Sequence, residues 1–228
     1  GGKAITSLLN RLGHESTFRD GYRVTDEETM AAAEMVLSGT VNQDLVGQLR
    51  RLGVSAVGLS GRSGGLFTAR VKDAALGRVG TLTKADAKVL CCLLDGGFVP
   101  VVSPIAQGED SGALNVNADD AALGVACALK AEKLLYLTDV DGILVDSHNS
   151  STLIHEMDVA RAEELLESGL AAGGMSPKVR SAVAAVKDGV NRVVILDGRV
   201  EHALLLESIS PKSIGTAVVA KEKEETWS

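Results

Sequence analysis

Apolar residues recur at helical spacing over residues 3–12, where Ile5, Leu8, Leu9 and Leu12 fall on one face. The same period returns over 25–37 and 42–52, with Ser38-Gly39 as a stop between them and Gly53 ending the second helix. Thr25 opens T-D-E-E, acids in the first turn behind a capping hydroxyl. Short continuous apolar runs over 54–60, 98–104 and 190–196, and a longer one over 133–144 that turns at Asp141-Gly142, predict strands, and 214–220 predicts a last, edge strand. Residues 66–74 and 77–83 read as a short β-hairpin. Helical patterns fill 84–95, 121–131, 159–168 and 201–207, and one more helix follows a loop over 170–179. Strands that alternate with helices and are apolar throughout imply an α/β fold, a three-layer αβα sandwich with a mainly parallel central sheet. No internal repeat and no linker interrupts the 228 residues, and 221–228 form a charged tail.

Composition narrows this picture. Hydrophobic residues make up 45% of the chain but aromatics only 3%, so the core must be built from Ala, Val, Leu and Ile. The net charge of −7 with no basic stripe argues against a nucleic-acid surface. An anionic ligand would have to be attracted locally, by helix N-termini and a few placed cations. Cys91, Cys92 and Cys127 lie inside apolar patterns without metal spacing and read as small core residues. No apolar run is long enough to span a membrane.

Candidate chemistry gathers at a few turns. L-N-V-N-A-D-D over 114–120 precedes a small-residue helix. In an extended approach Asn115 and Asn117 point the same way, and Asp119 or Asp120 stands where a carboxylate can satisfy free helix N–H groups. Capping alone would explain this stretch. Gly1-Gly2 before the first helix is a shape that lets bare N–H groups approach an oxyanion. Arg23, behind the turn signal Asp20-Gly21, is a candidate carboxylate clamp. Thr138 to Asp141 lie where a strand of an open α/β sheet ends, so Asp139 and Asp141 could meet a sugar hydroxyl or a cation. Lys178 near a helix N-terminus opposes the helix dipole, a placement that suits an anion.

Taken together, G-G-K-A-I, D-G-Y-R-V-T-D-E-E-T-M, G-L-S-G-R, N-V-N-A-D, L-T-D-V-D-G-I-L, G-G-M-S-P-K-V and D-G-R-V-E-H-A-L-L-L-E, in this order over nearly the whole chain, resemble the acetylglutamate kinases of the amino-acid kinase (carbamate kinase-like) fold. The resemblance implies transfer of the ATP γ-phosphoryl group to the side-chain carboxylate of N-acetyl-L-glutamate, in arginine biosynthesis. By the same resemblance Gly1 and Gly2 hold the reacting groups, while Arg23 and Asn115 bind the substrate. Asp119 organises the catalytic lysines, and Lys178 stabilises the transferring phosphoryl group. Thr138, Asp139, Val140, Asp141, Gly142, Ile143 and Leu144, with Leu170, Ala171, Ala172, Gly173 and Gly174, match segments that surround ATP. Mg²⁺ would travel with ATP, and no residue is assigned as a metal ligand.

The family pattern begins with a strand ending K-x-G-G, whose lysine is a second phosphoryl-stabilising cation and which this sequence lacks. The expectation is a fragment of a longer enzyme with a gap in its sheet, a single domain with a substrate lobe over about 1–130 and an ATP lobe over about 131–228. The resemblance further implies a cytoplasmic or plastid-stromal homodimer or trimer of dimers, with a nitrogen-signalling protein as a possible partner; the apolar helix at 30–37 is a candidate interface or, equally, core. The alternatives are a kinase of the same fold for carrier-linked aminoadipate, glutamate or aspartate, and a non-catalytic ligand-binding relative.

Overall fold

The computed structural model describes residues 1–19, 21–146, 149–169 and 175–220. The chain forms two compact units, Gly1–Ala128 and Leu129–Ser228.

The first unit opens with α1 (Gly2–Arg11), which buries Ile5 and Leu9. Leu12, expected on the same face, lies just past the last turn and is exposed. A minimal hairpin follows, β1 (Phe18–Arg19) paired antiparallel with β2 (Tyr22–Arg23). Gly21 at φ 81° supplies the left-handed residue of its turn. α2 (Glu27–Glu34) is capped by Asp26, whose carboxylate accepts the Thr29 N–H, rather than by Thr25 one residue earlier. Ser38-Gly39 does not stop the helix. The path continues through a π-helical segment, Met35–Val41, directly into α3 (Asn42–Arg51).

Asn42 holds this junction: its buried amide donates to the carbonyls of Leu59 and Val101 at 3.3 and 2.8 Å. Those carbonyls belong to β3 (Ala56–Ser60) and to the later strand β6. The chain then forms β4 (Phe67–Val71), β5 (Val79–Ala85), α4 (Lys88–Asp95), β6 (Val99–Ser103), β7 (Ile105–Gly108), β8 (Ala113–Val116) and α5 (Ala118–Leu129). β3 and β6 pair parallel. The expected hairpin is real, β4 antiparallel to β5, but it is half of a small closed barrel in the order β4-β5-β8-β7. Parallel pairs β4–β7 and β5–β8 alternate in it with antiparallel ones. Gly80 lets the barrel close, because a Cβ there would press on Leu114, Ala69 and Val116.

The core of this unit joins Ile5 and Leu9 of α1 to Met30, Ala32, Ala33 and Val36 and to Ile105. Met30, Ala32, Ala33 and Val36 of the stretch 30–37 therefore face this core, the other of the two readings the sequence allowed, while Met35 is exposed. The cysteines also depart from expectation. Cys91 and Cys92 are exposed, because α4 turns only Leu90 fully inward, and Cys127 on α5 is half-buried.

The second unit is a four-stranded sheet with helices. Its elements are β9 (Lys133–Thr138), β10 (Glu156–Asp158), α6 (Val159–Glu167), α7 (Met175–Lys187), β11 (Arg192–Asp197), α8 (Ala203–Ile209) and β12 (Thr216–Val219). The strand order is β10-β12-β11-β9, with β9–β11 and β10–β12 parallel and β11–β12 antiparallel. β12 is thus interior, not an edge, because the three-residue β10 covers it. β11 is apolar and buried from Val193 to Leu196, as a strand covered on both faces must be. α7 packs Val179, Ala182, Val183, Ala185 and Val186 inward. Among the described residues no helix is long and apolar enough to cross a membrane.

Candidate substrate cavity and strand-end turns

Asn115 sits on β8, fixed from both sides: it pairs with Val79 of β5 and Ile105 of β7, and its N–H donates to the Arg78 carbonyl at 2.9 Å. Two residues on, Asn117 caps α5, its Oδ1 accepting the N–H groups of Asp119 and Asp120 at 2.8 and 3.3 Å. The cap is thus an amide and not one of the two aspartates. Asn115 and Asn117 both line a cavity of about 390 Å³.

Arg23 lines the same cavity, and its side chain explains how the hairpin and α1 are held together. One guanidinium nitrogen donates to the Ser16 hydroxyl at 2.5 Å, and another donates to the Gly2 carbonyl and the Thr6 hydroxyl, both at 3.0 Å. The guanidinium carbon lies 4.6 Å from the Phe18 ring centroid, the residue across the hairpin. All these partners are neutral, and no carboxylate among the described residues pairs with Arg23. The residue is 8% exposed, and burial lowers its pKa. A desolvated cation with no carboxylate partner among the described residues suits an anionic ligand.

Gly1 and Gly2 complete that side of the cavity, and a side chain at Gly1 would strike Leu37. Ile5, Leu37, Val41, Val79, Pro104 and Val116 give apolar walls. One cation, two amides and bare glycine backbone over an apolar lining suit a small acid with an acylated amine. The structure therefore brings Gly1, Gly2, Arg23 and Asn115 into one cavity. It adds Phe18, Tyr22, Asn117, Leu37 and Val41, of which only Asn117 carried a signal in the sequence, its alternation with Asn115. Asp119 is not on the cavity lining. It is half-buried in the first turn of α5, beside Asp120, whose carboxyl burial pushes up while Lys72 pulls it down.

In the second unit the ends of β9 and β11 meet. The Thr138 hydroxyl accepts the Val140 N–H at 2.9 Å, and the Thr138 carbonyl accepts the Gly198 N–H at 2.8 Å. Asp197 binds Arg199 through both carboxylate oxygens, at 2.8 to 3.1 Å, which lowers the Asp197 pKa and raises that of Arg199. Asp139 and Asp141, both exposed, add to the rise at Arg199. The expected nucleotide segment divides here. Thr138 to Asp141 form an accessible turn, whereas Gly142 to Leu144 are threaded into the fold. The Ile143 N–H donates to the Thr216 hydroxyl at 2.8 Å, its side chain is buried, and Leu144 bridges to Leu153. Leu170, Ala171, Ala172, Gly173 and Gly174 lie outside the described residues. Lys178 stands in the first turn of α7 with its ammonium 6.0 Å from the ring centroid of the buried Tyr136 on β9. Among the described residues no cluster of three or more His, Cys, Asp or Glu side chains could hold a metal ion.

The sequence profile of the amino acid kinase family matches residues 1–197. The chain belongs to the amino acid kinase family. Among relatives of this amino acid kinase, an acetylglutamate kinase from Synechocystis sp. is 48% identical over 223 residues, 96% of this chain and 74% of that one. An acetylglutamate kinase from Caldanaerobacter subterraneus subsp. tengcongensis is 44% identical over 220 residues, with the same coverage of 96% and 74%. Among solved structures, the N-acetylglutamate synthase from Neisseria gonorrhoeae, complexed with coenzyme A and N-acetyl-glutamate, superposes with a TM-score of 0.81. Its identity is 32%, over 96% of this chain and 50% of that one.

Proposed function

We infer that this amino acid kinase transfers the γ-phosphoryl group of ATP to the side-chain carboxylate of N-acetyl-L-glutamate, the second step of arginine biosynthesis. The observation that carries the substrate assignment is Arg23, a buried guanidinium without a carboxylate partner among the described residues, in one cavity with Asn115 and Asn117. The Neisseria relative, 32% identical over nearly the whole chain, was solved with N-acetyl-glutamate bound.

In this reading the α-carboxylate lies against Arg23, and the Asn115 amide meets the acetamido end. A carboxylate nucleophile is already ionised at neutral pH, so no general base is needed. One of its oxygens attacks the γ-phosphorus, the bond from that phosphorus to the β,γ-bridging oxygen breaks, and ADP carries away the electron pair. The obstacle is repulsion between anions, which positive charge and N–H donors offset. Gly1 and Gly2 supply backbone N–H groups, Lys178 the ammonium, and Asp119 orders the cationic groups. The accessible turn Thr138 to Asp141 and residues 170–174 receive the nucleotide, whose Mg²⁺ is part of the substrate and masks phosphate charge. We further propose a cytoplasmic homodimer or trimer of dimers.

The test is ADP release, with hydroxylamine trapping the acyl phosphate, across acetylglutamate, glutamate, aspartate and aminoadipate derivatives. Acetylglutamate should turn over fastest; faster turnover of free glutamate would reject the assignment. Lys178→Met should lower kcat by about a hundredfold or more while nucleotide binding persists.

A further inference from the structure

The wall of the cavity formed by the β1–β2 hairpin is too small to hold itself in place. Its strands contribute two residues each, and a two-stranded hairpin is marginal in water even when longer. Its base is fixed through Thr25, whose N–H donates to the Leu76 carbonyl at 3.0 Å and whose carbonyl accepts the Arg78 N–H at 2.6 Å. Toward the tip the tie to the barrel is of another kind. The Lys72 ammonium lies 4.5 Å from the ring centroid of Tyr22, and Tyr22 lines the cavity next to Arg23.

Lys72 is itself well anchored. It follows β4 directly, and its N–H donates at 2.8 Å to the carbonyl of Val79, a cavity residue paired with Asn115. Its ammonium also pulls down the Asp120 carboxyl pKa, against the rise that burial causes, in the first turn of α5. One side chain therefore reaches both the hairpin that carries Arg23 and the acidic start of the helix that Asn117 caps.

We propose that Lys72 is a positioning residue for acetylglutamate: its ammonium, seated on the Tyr22 ring, pins the β1–β2 hairpin against the barrel and thereby sets Arg23 for the substrate carboxylate. The proposal rests on the functional reading above and concerns affinity, not the chemical step. Lys72 does not touch the substrate; it acts through Tyr22.

The experiment is a double-mutant cycle on the intact enzyme, with KM and kcat for acetylglutamate, KM for ATP, and calorimetric binding of acetylglutamate. Lys72→Met should raise KM and Kd for acetylglutamate about two- to fivefold, as loss of an exposed cation–π contact would, with kcat and the ATP KM nearly unchanged. Lys72→Arg should restore most of the affinity. Lys72→Met on a Tyr22→Leu background should add little, because the partner ring is gone. Unchanged affinity in Lys72→Met, no rescue by Lys72→Arg, or fully additive effects of the two substitutions would each overturn the proposal. Should Lys72→Met not fold, Lys72→Gln takes its place in the same cycle. Turnover of acetylglutamate by the unmodified enzyme is measured alongside, so failure of the functional reading shows there and failure of the Lys72 role shows only in the variants.

Discussion

Arg23 decides what the cavity can hold, and its contacts say why lysine cannot replace it. The guanidinium spans Ser16, Thr6 and the Gly2 carbonyl at once and lies on Phe18, geometry that a single ammonium on a flexible stem does not reproduce. Arg23→Lys should therefore lower kcat/KM for acetylglutamate by about tenfold to a hundredfold, the loss expected for hydrogen bonds to a charged ligand, chiefly through KM. Arg23→Met should abolish tight binding and lower the unfolding midpoint only modestly, because the hydrogen bonds lost to Ser16, Thr6 and Gly2 are partly offset by removal of a buried charge. Steady-state kinetics and a melting curve check both; a large fall in the midpoint with binding intact would make Arg23 structural. The D-G-Y-R spacing made Arg23 legible in sequence, since a turn followed by a strand fixes which way the side chain points. Phe18, Tyr22 and Lys72 were not legible, because each acquires its role only from a ring or a cation supplied by another segment. Cys91 and Cys92 misled for the opposite reason. V-L-C-C-L-L is apolar throughout, so the run carries no direction, and α4 turned Leu90 inward and the cysteines out.

At the level of elements, the helix from Glu27 to Arg51 shows how a stop signal is overridden. Gly39 ends a helix when it takes a left-handed conformation, and it is not among the residues with positive φ. The path instead widens into a π segment, a form that recurs at functional sites, and this segment carries Leu37 and Val41 of the cavity wall. The Ser38 and Ser103 hydroxyls meet at 2.7 Å, and Asn42 binds the two parallel strands, contacts between distant residues that local periodicity does not encode. The start of this helix was legible to within one residue, and the difference is testable. The Thr29 N–H bond to the Asp26 carboxylate lowers the Asp26 pKa, with His14 at 3.2 Å adding a smaller pull in the same direction. A carboxylate held below its unfolded pKa, about 3.9, contributes stability above that value and loses it as pH falls through the folded pKa. Asp26→Ala should thus destabilise the unit 1–128 by about 1 kcal/mol at pH 7, and the gap to the unsubstituted protein should narrow below about pH 4. Asp26→Asn, which keeps an acceptor without the charge, should cost less and depend less on pH. Hydrogen exchange of the α2 amides across pH gives the comparison, and a gap that widens in acid would refute the capping role.

For the molecule as a whole, the class of fold was legible because buried parallel strands must be apolar on both faces, and β11 is so. Strand neighbours were not legible. The barrel closes on the absence of a side chain at Gly80, and β12 is interior because a three-residue strand, too short to announce itself, pairs with it. Each unit nevertheless has its own core, one built around Ile5, Met30 and Ile105, the other around Val194, Leu196 and Ala217. This separation makes the assignment of substrate to one unit and nucleotide to the other measurable without turnover. A ligand that binds only folded protein stabilises it by about 2.7 kcal/mol at a hundred times its Kd, which slows exchange through global opening about a hundredfold. Acetylglutamate alone should slow the slowest amides of α1, α2 and the barrel by about that factor, while those of β9, β11 and β12 change far less. A non-hydrolysable ATP analogue should reverse the pattern, with its strongest local protection at Thr138 to Gly142. Protection of β11 by acetylglutamate as strong as that of β8 would show that the cavity around Arg23 is not where the acid binds, and the roles given to Asn115 and Arg23 would fall with it.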